Sequence, residues 1–325
     1  MAEEKIYPYA VARIRVLEKN LLSKQTLNQM AEEKEIDSCL RTLAEYGYEN
    51  VPEGNAREFE KVLSAELSKT YAVIRELVPE EKFINIFLYK NDYQNLKVLL
   101  KEEVSGIDGR QYIVQGGTEP VEKLKQSILD RNYTDLPKVM GEAIEEALEL
   151  YSKTQSGQMI DIALDRGTFR QMTQAAKESE NDFVKGYTAR VCDLTNLKSF
   201  IRMRHMNKDF GAFMNVFVEG GEISSSVFFN AYGTDNPLDQ FKGTKYGQIF
   251  EVGEEKGFTE FEKTCDNFLM DYVKSAKYIA LTLEPLIAYL YAKESEIKTV
   301  RIILTSKLNQ IDSEIIKERV REAYV

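Results

Sequence analysis

Apolar residues recur three and four positions apart along most of the chain, the period of one face of an α-helix. Toward the C-terminal end Leu286, Leu290, Ile297, Val300 and Leu304 follow at steps of 4, 7, 3 and 4. Pro285 fits the first turn of that helix, where its missing N–H costs nothing. A comparable run extends from Val11 to Leu27, and a further helix fits Phe59 to Leu77, just ahead of Pro79. Stretches carrying Gly, Asn and Pro at 49–55, 106–120 and 231–247 predict connections between helices. The pattern predicts an all-α protein.

Three segments fall into register when the chain is set against itself about 100 residues on, the comparison that exposes internal repeats. Asn95-Leu96-Lys97, Asn196-Leu197-Lys198 and Glu296-Ile297-Lys298 are separated by 101 and 100 residues. In each, an apolar residue follows three positions after the Leu or Ile, at Leu99, Phe200 and Val300, so each copy presents the same helical stripe. Leu96, Leu197 and Ile297 are therefore expected to be buried. A second anchor, Phe59-Glu60, Ile160-Asp161 and Phe261-Glu262, repeats at 101 and 101, with Leu63, Leu164 and Cys265 four positions on. Two anchors at one offset in three copies indicate a threefold internal repeat. The division expected is 1–105, 106–207 and 208–325. A weaker correspondence pairs Gly116-Gly117 with Gly220-Gly221, each able to supply a positive-φ turn; the first copy lacks the pair.

Composition supports the helical pattern. Gly contributes 18 and Pro 7 of 325 residues, few for a loop-rich or disordered chain, while charged residues reach 30% and hydrophobic ones 43%. The formal net charge of −10 disfavours a nucleic-acid partner, which calls for a basic face. Cys39, Cys192 and Cys265 lie far apart, which suits free thiols in a reducing compartment rather than a disulfide framework or a thiolate metal site. The opening MAEEKIYPYA lacks the flank and apolar core of a signal peptide, so export is not expected. The most apolar stretch, Tyr278 to Ala292, is cut by Glu284-Pro285 and is too short to span a bilayer.

Candidate chemistry is sparse. His205, the single histidine, lies in IRMRHMNK without a second histidine and is expected to be a partly exposed helix-terminal residue. Gly243-Thr244-Lys245 reverses the order of a phosphate loop. Asp161 with Asp165, or Glu60 with Glu66, would suit acid–base pairs, but helix carboxylates are usually solvated. Ser224-Ser225-Ser226 after Gly220-Gly221 fits a helix N-cap better than a nucleophile. Lys97, Lys198 and Lys298 either line an axis that grips an acidic partner or act within their own repeats, as ion pairs or snorkelling side chains, the second being favoured.

With these repeats in place, three longer stretches carry a resemblance: YPYAVARIRVLEKNLL near the start, CDLTNLKSFIRMR in the middle copy, and YLYAKESEIKTVRIILTSKLNQIDSEIIKERVREAYV at the end. The chain resembles, over its whole length, the C subunit of archaeal and bacterial V/A-type rotary ATPases, called the d subunit in the eukaryotic vacuolar enzyme. The resemblance implies three similar helical domains in a pseudo-threefold funnel. That funnel would sit on the cytoplasmic face of the membrane rotor ring and receive the end of the central rotor shaft. It implies one copy per complex, a monomer when isolated, peripheral association without transmembrane insertion, and torque transfer for ion transport. It supplies no catalytic, cofactor-binding or metal-binding residues to carry over. The charge of −10 then points to contact with ring loops rather than lipid headgroups. Glu296, where the other copies have Asn, suggests that the domains are no longer equivalent. The rival expectations are a helical hydrolase or transferase with a site of dispersed carboxylates, and a general helical adaptor.

Overall fold

The structure, a computed structural model, describes residues 7–51, 56–78 and 80–325. Residues 52–55 of the expected connection at 49–55, Pro79 and the first six residues of the opening segment lie outside the described residues. Helices dominate, and no strand occurs among the described residues. In chain order they are α1 (Pro8–Leu17), α2 (Lys24–Glu32), α3 (Ile36–Glu45), α4 (Phe59–Leu77), α5 (Glu81–Ser105), α6 (Val121–Asp130), α7 (Lys138–Thr154) and α8 (Gly157–Glu178). They continue as α9 (Asp182–His205), α10 (Phe210–Val216), α11 (Ser225–Tyr232), α12 (Leu238–Phe241), α13 (Gly247–Lys256), α14 (Phe258–Lys274), α15 (Glu284–Leu308) and α16 (Ser313–Glu318).

The chain forms two compact units, residues 1–79 together with 248–325, and residues 80–247. In the first unit α15 packs against α4, α2 and α3. Its core joins Leu27, Met30, Leu43 and Leu63 to Ile297, Val300, Ile303 and Leu304. The stripe expected along α15 is buried throughout, and Pro285 sits in its first turn. Helix α4 begins and ends at the expected residues.

The run from Val11 to Leu27 is not one helix. It breaks at 21–23, where the Ser23 hydroxyl accepts the Thr26 N–H at 3.1 Å and starts α2. The apolar period continues across the break, so periodicity alone does not reveal it.

In the second unit α8 lies between α5 and α7, and Leu96, Leu100, Met140, Ile144, Ile160 and Leu164 share one core. Around Phe200 on α9 the core turns aromatic: the rings of Phe213, Phe228, Tyr232 and Phe241 stand 5.0–5.9 Å from it. The expected connection at 231–247 contains α12 and turns. All three cysteines are free and buried.

Candidate functional site

The helices that carry the sequence correspondence, α5, α9 and α15, are 25, 24 and 25 residues long. Leu96, Leu197 and Ile297 are at most 1% exposed. Beside each, a polar side chain clasps a distant stretch of main chain. On α5 the Asn95 Nδ2 donates to the Val114 carbonyl at 2.9 Å, and its Oδ1 accepts the Val114 N–H at 2.8 Å. On α9 Asn196 holds Val218 in the same way, at 2.8 and 2.9 Å. A planar amide offers one donor side and one acceptor side, which is what an extended residue needs.

Three residues upstream, Asp92 and Asp193 hold the turn that follows the clasped valine, and both are fully buried. Asp92 accepts the N–H groups of Thr118 and Glu119 at 2.9 and 3.1 Å and the Thr118 hydroxyl at 2.7 Å. Asp193 accepts the N–H groups of Glu222 and Ile223 at 3.0 and 2.9 Å and the Tyr246 hydroxyl at 2.8 Å. Those N–H groups lie just ahead of α6 and α11, whose N-caps make no side-chain hydrogen bond of their own. The aspartates thus fix the turn that leads into each helix, through N–H groups that precede its N-cap. Burial pushes the Asp92 carboxyl above its ordinary value, against the opposing pull of the bonds from Thr118 and Glu119. Burial and the neighbouring Asp193 carboxylate together push the Tyr246 hydroxyl up.

The glycine pairs serve these clasps. Gly116 and Gly220 take φ of 86° and 106°. Gly117 and Gly221 lie so close to the aspartates that an added Cβ would fall 2.1 Å from the Asp92 or Asp193 Oδ1.

On α15 the polarity changes. Glu296 stands in place of Asn and Lys293 in place of Asp. Glu296 accepts the Leu22 N–H at 2.5 Å on Oε2, and on Oε1 the Tyr48 hydroxyl at 2.7 Å and the Lys293 ammonium at 2.8 Å. Lys293, 1% exposed, also meets the buried Glu66 carboxylate at 3.3 Å and lies over the Tyr48 ring, 4.9 Å from its centroid. Burial is the main force raising the Tyr48 hydroxyl, with the Glu296 carboxylate adding to it. Leu22 leads directly into α2, and the N–H groups of Thr26 and Leu27 that follow it are taken by the Ser23 hydroxyl and carbonyl.

Other repeated charges bridge helices near the surface. Lys97 pairs with Asp165 at 2.5 Å and Lys101 with Asp161 at 2.7 Å, joining α5 to α8. Arg301 pairs with Glu60 at 3.0 Å, joining α15 to α4. Lys298 pairs with Asp266 at 2.6 Å within residues 208–325, and Lys198 is engaged as well. The expectation that the lysines pair within their own repeats fails for Lys97. Its partner lies in the 106–207 segment, because α5 packs on α8. A cleft of about 790 Å³ opens beside the two α5–α8 bridges, with Ile107 and Tyr112 exposed on its rim.

Each remaining candidate has a structural place. His205 is exposed in the last turn of α9. Thr244 turns its hydroxyl to the Phe241 carbonyl at 2.7 Å, and Lys245 pairs with Glu222 at 2.7 Å. Ser224 occupies the N-cap of α11, but its hydroxyl bonds Ser226 at 2.7 Å instead of a backbone N–H. Asp161, Asp165, Glu60 and Glu66 each face a cation. No cluster of three or more metal-ligating side chains occurs among the described residues. No helix among them is long and apolar enough to cross a membrane.

Asp92, Asp193, Lys293 and Tyr48 play parts that the repeat spacing and motifs do not single out, and Glu66, a candidate only as an acid–base partner of Glu60, pairs with Lys293 instead. A signal existed: DYQNLK and DLTNLK share the aspartate as well as the tripeptide, and KESEIK changes both polar members together.

Comparison with known proteins places these features in context. Residues 10–319 match the family model described as ATP synthase (C/AC39) subunit. The chain is 28% identical to the C subunit of the V-type sodium ATPase of Enterococcus hirae over 317 residues, covering 96% of this chain and 97% of that protein. It is 23% identical to the C subunit of the A-type ATP synthase of Thermococcus kodakarensis over 331 residues, covering 97% and 90%. It is also 23% identical to that of Methanocaldococcus jannaschii over 339 residues, covering 96% and 85%.

Proposed function

Because the chain belongs to the ATP synthase (C/AC39) subunit family, we propose that it is the central-stalk adaptor of a V/A-type rotary ATPase. In this role it is a non-catalytic socket that fixes the central rotor shaft to the membrane rotor ring. The observation that carries the proposal is the match over nearly the whole chain, to the family and to relatives of similar length.

The repeated clasps support the architecture that goes with this role: three similar helical domains, 1–105, 106–207 and 208–325, arranged as a pseudo-threefold funnel. Clasps at 101- and 100-residue spacing each take the segment that opens the next copy, and the third takes the segment that opens the first. A cyclic threefold arrangement requires that return. Such a chain supplies within itself the contacts a trimer would otherwise make, so the isolated protein is a monomer without ATPase activity. Its place is peripheral, on the cytoplasmic face of the ring, held by many contacts so that torque does not slip the shaft.

Membrane vesicles carrying the complex with and without this subunit test the proposal. Removal should leave ATP hydrolysis by the catalytic head while abolishing hydrolysis-driven ion transport, and re-addition should restore coupling. Vesicles that pump at the normal ratio without it would refute the adaptor role.

A further inference from the structure

Three clasps of similar build within one chain create an assignment problem, because each could seize the wrong segment. Misassignment between like repeats is a characteristic failure of repeat proteins. The clasps on α5 and α9 use the same chemistry on segments of the same kind, Val114 followed by Gly116-Gly117 and Val218 followed by Gly220-Gly221. They differ from the third in both polar members.

We propose that the Lys293/Glu296 pair is a recognition code, which admits the Leu22 segment to the third clasp and excludes the two glycine-pair segments. Glu296 can take the Leu22 N–H, but a carboxylate has no donor for the carbonyl that Asn95 or Asn196 satisfies at Val114 or Val218. A glycine-pair segment placed there would set its carbonyl against a negative oxygen. Its turn N–H groups, which Asp92 and Asp193 accept, would meet the Lys293 ammonium, donor against donor. Conversely the Leu22 segment caps its own helix through Ser23 and offers no N–H pair to a buried aspartate, which would be left short of partners. Discrimination thus comes from repulsion as much as from attraction. Tyr48 and Glu66 hold the code in place: the Tyr48 hydroxyl occupies Glu296, and Glu66 is the second carboxylate on Lys293. The inference rests on clasp geometry and does not depend on the rotary role.

The test uses the full chain and gives the third clasp the chemistry of the others, Lys293→Asp with Glu296→Asn. The probe is a labelled synthetic peptide of residues 112–120, which contains Val114 and the glycine pair. In the recoded chain the Leu22 amide should exchange about tenfold faster, the change expected when a charged acceptor gives way to a shorter, neutral one. The peptide should bind the recoded chain and not the wild type, a gain that simple loosening does not produce. Equal peptide binding to both chains, or a Leu22 amide still protected after recoding, overturns the proposal. If the recoded chain does not fold, Asn95→Asp carries the test, since it is isosteric and only replaces the donor facing the Val114 carbonyl with a negative oxygen. The Val114 amide should then exchange at least about tenfold faster, and wild-type protection there would overturn the code.

Discussion

Replacing Gly221 by Ala probes the α9 clasp at its tightest point. The new methyl would fall 2.1 Å from the Asp193 Oδ1, 2.8 Å from its Cγ and 3.3 Å from its backbone nitrogen. The backbone of Asp193 is fixed in the middle of α9, so the carboxylate must rotate away or the turn must lift. Either movement breaks the bonds from the Glu222 and Ile223 N–H groups, and Asp193 has no exposure through which water could replace them. Two bonds to a charged acceptor at about 1.5–3 kcal/mol each give an expected loss of roughly 3 kcal/mol or more. Chemical denaturation followed by far-UV circular dichroism measures it, with Gly243→Ala as control. A Cβ at Gly243 meets nothing within 4 Å, so that change should move stability by less than about 1 kcal/mol. Adding Asp193→Ala to Gly221→Ala frees the space, and the double variant should lose at least about 1 kcal/mol less than the sum of the singles. If Gly221→Ala unfolds at the same midpoint as Gly243→Ala, the clasp does not hold the turn.

Truncating Leu96, Leu197 or Ile297 to Ala should cost about 2–5 kcal/mol each, read as a lower denaturant midpoint; wild-type midpoints for all three would contradict their place in the core. Lys293→Met leaves Glu66 and Glu296 facing each other without their cation and should cost about 3–5 kcal/mol, part of which Glu296→Gln in the same chain recovers; an unchanged midpoint for the single variant refutes the ion cluster's role. Lys24 holds Glu322 below its ordinary carboxylate value, so this pair adds stability above that value and loses it as pH falls through the depressed one. Its side chains are 38% and 40% exposed, so Glu322→Gln should flatten the acid limb of thermal stability only slightly, and a steeper limb would reverse the sign.

How far the chain could be read in advance depended on whether a feature was local. The helices, the buried stripe of α15 and the bounds of α4 follow from side chains three and four residues apart, and period alone predicts them. The break at 21–23 escapes that logic: the main chain is not helical there, and the Leu22 N–H goes to Glu296, which lies 274 residues away. The partner of Lys97 escapes it for a related reason. The lysine's repeat spacing is visible in the sequence, but its partner depends on which helix α5 packs against. The clasps were half visible. The tripeptides mark Asn95 and Asn196, whereas the link from the glycine pairs to Asp92 and Asp193 is purely spatial: only a missing side chain at Gly117 and Gly221 leaves room for the carboxylates.

The repeated surface bridges invite the opposite conclusion from the clasps, and one last prediction separates them. Lys101–Asp161 and Arg301–Glu60 occupy corresponding places, one joining α5 to α8 and the other α15 to α4. Their side chains are 36–49% exposed, so water and salt screen them and each contributes about 0–1 kcal/mol. The clasp residues Asp193, Asn196 and Lys293 are at most 1% exposed, and losing a partner there leaves a buried polar group unsatisfied. Stability should therefore fall by less than about 1 kcal/mol in Lys101→Ala and Arg301→Ala, and several-fold more in Gly221→Ala. Added salt should change the wild-type midpoint little, because the groups that matter are out of its reach. In the adaptor role proposed above this ranking has a functional consequence: coupling should survive removal of either surface bridge and the ordinary range of ionic strength, yet fail when a clasp is opened. If Lys101→Ala or Arg301→Ala destabilises the chain as much as Gly221→Ala does, the bridges rather than the clasps hold the long helices in register.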